Sequence, residues 1–273
     1  MNLAEATYRR VLHQSLLNAG HNSFSIRHSA ATLPSVERVV VVANGPSARH
    51  TVPPASSQVI AVDGALGRLL RAGCRPDLVV SADTHERIAH WFGAAPDEYF
   101  ARIGEVGADA NMKGLAVAIA TASHPRTVEQ CRNNLMVLYW WNAMLDDPSE
   151  PGLTRSLYEA NGMPCLNGGG NVGTAAWVIA HSILKAKTVA LVGFDFGYPP
   201  DFPKERTQYW PEMQEFGLSF ITYDNGWYAD PAMAWFREVF MQMARDAPCR
   251  TINCTEGGTL DGIERMPLAE FLG

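Results

Sequence analysis

Cysteine is sparse and unpaired here: Cys74, Cys131, Cys165, Cys249 and Cys254 are odd in number, scattered, and form no C-x-x-C pair. That excludes a disulfide framework and gives no support to a structural zinc site, and it suits reduced thiols. Long hydrophobic runs are also missing, since none approaches the about 18 residues needed to cross a bilayer. Basic excess is missing as well. A net charge of −6 argues against a nucleic-acid partner, because such affinity rests on Lys and Arg neutralising phosphates. The first residues lack a basic stretch followed by an apolar one, so no secretory signal is visible and a cytoplasmic location is expected. No internal repeat or low-complexity tract is present.

What remains is a globular composition, 47% apolar and 18% charged over 273 residues. Apolar residues at helical spacing over 4–17 predict an N-terminal helix, followed by a polar connector over 18–36. The run Val39-Val40-Val41-Val42-Ala43 predicts a strand buried on both faces, and 59–63 and 78–83 predict two more. A short helix over 65–72 separates those two. Further strands are expected over 114–122 and 135–141, with a helix over 127–133. A helix over 172–185 then leads to a strand over 188–192, and a helix over 231–245 to a strand over 251–254. Strands alternating with helices predict an α/β, Rossmann-like fold with a doubly wound, mainly parallel sheet. The expected organisation is an N-terminal helical extension over 1–36 and an α/β domain over 37–273. An aromatic-rich insert over about 199–230 interrupts that domain, as a binding lid or as a surface excursion or subunit contact.

The most informative stretch is Asn167-Gly168-Gly169-Gly170-Asn171-Val172-Gly173-Thr174, ahead of a helix. A glycine-rich turn opening a helix exposes N–H groups at the positive end of the helix dipole, which suits a phosphate. Gly168-x-Gly170-x-x-Gly173 also matches the dinucleotide fingerprint, but the preceding run contains Pro164, which a central strand tolerates poorly.

In open parallel sheets ligands bind beyond the carboxyl ends of the strands. Those ends carry Asn44-Gly45-Pro46-Ser47, Asp63-Gly64, Asp83-Thr84-His85 and Asp195. Each acid taken singly also suits helix N-capping, as Ser47 does. Together, three carboxylates beside a phosphate turn call for a cation, and Mg²⁺ with a nucleotide is the natural occupant. His85 suits an acid, a base or a phosphate donor, while His90 and His181 read as helix-face residues. Arg49, Arg68 and Lys113 are the candidate basic helpers.

The ordered set Val39–Ser47, Ile60–Ala65, Gly73–Asp83, Gly169–Ala176, Leu191–Asp195 and Ile252–Gly258 resembles the archaeal-type 6-hydroxymethylpterin diphosphokinase family, whose domain also occurs in motility-associated flagellin glycosyltransferases. The resemblance runs from Val39 to the C-terminus. It implies Mg-dependent transfer of diphosphate from ATP to the hydroxymethyl group of a dihydropterin, releasing AMP. On it, Asn44, Gly45, Pro46, Ser47 and the Asn167–Thr174 turn would cradle phosphates. Asp63 and Asp83 would hold Mg²⁺ or the nucleotide, and Asp195 would complete the site or grip the pterin. The partners implied are a nucleotide and a small-molecule acceptor, with homo-oligomerisation open. Two alternatives stand beside it: glycosyl transfer from a CMP-sugar type donor, and a nucleotide-binding module without turnover.

Overall fold

The computed structural model describes residues 3–20, 22–33, 37–144, 146 and 152–273; the N-terminal dipeptide and residues 21 and 34–36 of the expected connector lie outside the described residues. Eight strands form one parallel sheet: β1 (Arg38–Val42), β2 (Val59–Val62), β3 (Leu78–Ser81), β4 (Ala116–Ala120), β5 (Val137–Ala143), β6 (Cys165–Leu166), β7 (Thr188–Val192) and β10 (Arg250–Asn253). Their order is β10-β7-β1-β2-β3-β4-β5-β6. The chain therefore steps outward from β1 to β6, then returns to lay β7 against the other side of β1. Val40 pairs with Val59 on one side and with Ala190 on the other. The winding reverses between β1 and β7, and such a switch point opens a crevice at the carboxyl edge.

The apolar runs are continuous because the central strands are covered on both faces. Along β3, Val79 joins one apolar layer with Leu66, Phe92, Phe100, Val117, Ile119 and Trp140. Its neighbours Leu78 and Val80 join the other, with Ile60, Trp141, Trp177 and Phe240. Helices α3 (Asp63–Arg71), α4 (Glu98–Ile103) and α5 (Pro125–Asn133) belong to the connections from β2 to β5. Helices α7 (Val172–Val178) and α9 (Pro231–Arg245) belong to the returning half, and Trp177 meets Phe240 edge-on at 5.3 Å. At the periphery lie α1 (Leu3–Asn18), α2 (Ile26–Thr32), α6 (Gly152–Asn161), α8 (Trp210–Glu215), α10 (Leu268–Leu272) and the ribbon of β8 (Ile221–Thr222) with β9 (Tyr228–Ala229). No helix among the described residues is long and apolar enough to cross a membrane.

Several expectations need correction. The connector over 18–36 contains α2, opened by Ser25 and His28, each of which accepts from the other's segment as a capping box. The helix expected over 172–185 is α7 followed by a π turn over Ile179–Ile183. The strands expected over 114–122 and 135–141 are Ala116–Ala120 and Val137–Ala143, because Gly114 and Leu135 both turn with positive φ and delay the strands. β6 is a two-residue edge strand, the position at which Pro164 costs no ladder bond.

Candidate functional site

At the switch point the turn after β1 is tied to the end of β7. Asp195 Oδ2 accepts the Ser47 N–H at 2.8 Å and Oδ1 accepts the Ser47 hydroxyl at 2.5 Å. Only glycine fits beside that contact, since a β-carbon on Gly45 would stand 2.6 Å from Asp195 Oδ2 and closer still to the Gly193 carbonyl. Pro46 begins a 3₁₀ turn over Pro46–His50 that carries the chain away. Asp195 is 1% exposed, and burial raises its pKa to about 6 against the lowering effect of the two Ser47 bonds. Its carboxylate is thus engaged within the protein rather than offered to a ligand.

Asp63 opens α3 in the same way. Oδ1 accepts the Gly64 N–H at 2.7 Å and Oδ2 accepts the Ser81 hydroxyl at 2.7 Å, linking the ends of β2 and β3. Burial raises its pKa to about 7, above what the Ser81 and Gly64 bonds restore. The Asn44 side chain packs on Gly64, leaving 3.0 Å to the place of a β-carbon, so the turn after β1 and the start of α3 form one wall. Asp83 is exposed; Oδ1 accepts the His85 N–H at 2.8 Å. His85 in turn caps the following turn through Nδ1, which accepts the Arg87 N–H at 3.2 Å.

The glycine turn reaches the end of β7 next to Asp195, through Phe194. Asn171 caps α7, with Oδ1 accepting the Thr174 N–H at 2.9 Å and Nδ2 donating to the Thr174 hydroxyl at 2.9 Å. Asn167 Oδ1 accepts the Gly169 N–H at 3.0 Å. Gly169 and Gly170 adopt φ of 58° and 79°, the left-handed region that glycine enters freely. Gly173 sits beside Phe194, which puts the start of α7 against the end of β7. The glycines also seat α9: side chains of Trp235 and Phe236 crowd Gly170, and Met243 approaches Gly169.

The aromatic stretch after β7 forms a strap across the carboxyl edge, stapled by its own rings. Tyr198 and Tyr228 pair through the backbone at 2.7 and 3.0 Å, and their rings lie 5.7 Å apart. The strap's far end is held by the α4 region beyond β3. Arg102 Nη1 donates to the carbonyls of Glu205 and Thr207 at 2.8 and 2.9 Å, and Arg206 Nη2 donates to the Ile103 carbonyl at 2.8 Å. The strap therefore links the end of β7 to the α4 segment that follows β3 in the chain. Burial raises the pKa of Tyr99 to about 12 and pushes Tyr209 up as well, with the charges of Asp230, Asp83 and Glu212 adding to the effect on Tyr209. Asp230 caps α9 through Oδ1, while its fully buried Oδ2 has no partner among the described residues. Tyr99, Arg102, Tyr209, Asp230 and Trp235 carry no motif, and only Tyr209 and Asp230 fall within the aromatic-dense stretch.

The remaining candidates make contacts within the fold. His90 is buried, its Nδ1–H donating to the Ala94 carbonyl at 2.9 Å and its Nε2 accepting the Gly107 N–H at 3.0 Å. His181 packs edge-on against Trp177 at 4.4 Å. Arg49 pairs with Glu105 at 3.1 Å, Arg68 donates to the Thr51 carbonyl at 3.2 Å, and the Lys113 carbonyl accepts from Arg75. The cysteines are all free thiols. Among the described residues no group of three or more His, Cys, Asp or Glu could hold a metal ion. Asp63 is buried with one bond accepted at each oxygen, whereas the exposed Asp83 offers its carboxylate to an ion arriving on phosphates.

A family model described as 6-hydroxymethylpterin diphosphokinase MptE-like matches residues 17–201. Among solved structures, the MAf glycosyltransferase from Magnetospirillum magneticum AMB-1 is similar in fold, at a TM-score of 0.54 and 17% identity over 95% of this chain. The chain spans 38% of that larger protein. No curated protein sequence matches significantly.

Proposed function

The chain belongs to the 6-hydroxymethylpterin diphosphokinase MptE-like family, and from that premise we propose that it is a nucleotide-dependent transferase acting at the carboxyl edge of its sheet. The observation that carries this is the convergence at the switch point of the Asn44–Ser47 turn, the start of α3 and the glycine turn ahead of α7. The glycine turn opening α7 then receives the phosphates, the Asn44–Ser47 turn and the start of α3 border them, and the strap covers the acceptor. The first reading is transfer of diphosphate from Mg-ATP to a hydroxymethyl-dihydropterin-like acceptor, releasing AMP.

In that reaction the acceptor oxygen bonds to the β-phosphorus while the bond from the β-phosphorus to the oxygen bridging it to the α-phosphate breaks, and the acceptor proton leaves to base or solvent. The protein's part is to align the two oxygens and to offset negative charge with fixed N–H dipoles, which needs no nucleophilic side chain. Asp83 and His85, at the end of β3, face the acceptor side, with Asp83 as the group able to receive its proton. Asp63 and Asp195 hold that border in place. Mg²⁺ comes with the nucleotide, and Asp83 is the exposed carboxylate beside it.

A second reading is glycosyl transfer from a CMP-sugar type donor. It is favoured by the engagement of Asp63 and Asp195 within the protein and by the likeness of fold to a glycosyltransferase. A cytoplasmic location fits either donor. The test measures AMP from Mg-ATP with and without 6-hydroxymethyl-7,8-dihydropterin, and CMP from a CMP-sugar in parallel. Pterin-dependent AMP is expected on the first reading; CMP alone would establish the second; neither product, with nucleotide still bound, would leave a binding module.

A further inference from the structure

Helix α9 is anchored by Phe240, which is fully buried among Trp177, Phe194 and Phe196 at ring separations of 5.3 to 5.6 Å. Phe236 continues that contact toward the glycine turn, where its ring would lie 2.8 Å from a β-carbon on Gly170. Trp235 adds no core contact of this kind. It sits near the start of α9, 57% exposed, with Cζ3 2.7 Å from the place of a β-carbon on Gly170. A bulky indole thus stands beside the turn with more than half its surface open to solvent. Burying the flat face of an aromatic against another flat ring recovers that exposed area, and this is how proteins hold bases without reading their edges.

We propose that Trp235 is the platform on which the planar heteroaromatic ring of the ligand stacks while the phosphates of the same reaction lie along the glycine turn. This rests on the reading of the crevice as a nucleotide site. The shared chemistry is a flat nitrogen heterocycle next to phosphate, supplied either by a nucleobase or by a pterin.

Calorimetric titration of the full chain separates the two sources, using ATP, inorganic triphosphate and 6-hydroxymethyl-7,8-dihydropterin against wild type, Trp235→Ala and Trp235→Phe. Loss of one aromatic platform weakens binding by about tenfold. With a nucleobase on the platform, Trp235→Ala loses that much for ATP and nothing for triphosphate. With a pterin on it, the loss falls on the pterin alone. Trp235→Phe retains most of the affinity in either case. Equal affinities in wild type and Trp235→Ala overturn the proposal, as does an equal loss for triphosphate or a change confined to oligomeric state. If the wild type binds none of the three ligands, the reading of the crevice as an ATP and pterin site fails, a failure distinct from that of Trp235.

Discussion

The two glycine-bearing turns of the crevice look alike in sequence and differ in what their glycines do. Gly45 has an ordinary backbone, φ −63°, and is there because Gly193 and Asp195 leave no room for a β-carbon. Gly169 and Gly170 are there first for their left-handed backbone, and the atoms crowding them belong to side chains. The β1 turn is therefore a rigid joint between the two halves of the sheet, and the α7 turn is a seat for α9 that can give. A glycine motif read as a ligand cradle is also a packing motif, and the neighbouring atoms decide which role dominates.

The sharpest way to break this comparison is a pair of alanine substitutions. Gly45→Ala sets a methyl against backbone and a buried carboxylate, and is expected to cost about 3 kcal/mol in denaturant unfolding at unchanged slope. Gly170→Ala meets movable rings and a φ penalty, and should cost about 1 to 2 kcal/mol. Equal costs would erase the distinction between joint and seat.

The buried acids of the joint give a pH test. Asp63 titrates near 7 and Asp195 near 6 in the folded chain, against an ordinary value of 3.8. The folded state therefore binds protons that the unfolded state has released, so their stabilisation is complete below about pH 4 and is lost as the pH rises through 6 and 7. Unfolding at pH 8 should show a stability lower than at pH 5 by about 1 kcal/mol or more, and Asp63→Asn should flatten the part of that slope near pH 7. A slope of the opposite sign would contradict the burial argument.

The smallest effect concerns the strap, which belongs to neither turn. Arg102→Ala removes the bonds to Glu205, Thr207 and Gln208 at its far end. We expect a stability loss of about 1 kcal/mol and faster limited proteolysis within the strap, with both turns unaffected. Unchanged cleavage would show that the aromatic staples alone hold it.

Much of the sheet was legible, because strands covered on both faces must be continuous apolar runs, as β1, β2, β3 and β7 are. The short elements were not: α2 uses His28 where a capping box commonly has Glu, and β6 has two residues. The acids at the strand ends were also legible as positions. Their use was not, because spacing places a carboxylate at the end of a strand without aiming it, and Asp195 turns inward to Ser47, a residue 148 positions away. The Arg102 clasp on the strap, over a separation of 103 to 106 residues, leaves no local trace at all.

The central claim is that both turns bound one nucleotide site. Hydrogen exchange on the full chain with and without saturating Mg-ATP, and likewise with CMP, tests it directly. Added protection of the segments covering Asn44–Ser47 and Gly168–Thr174 together, with at least one of these nucleotides, is the result expected. Binding accompanied by protection of neither turn, or of only one, would contradict it.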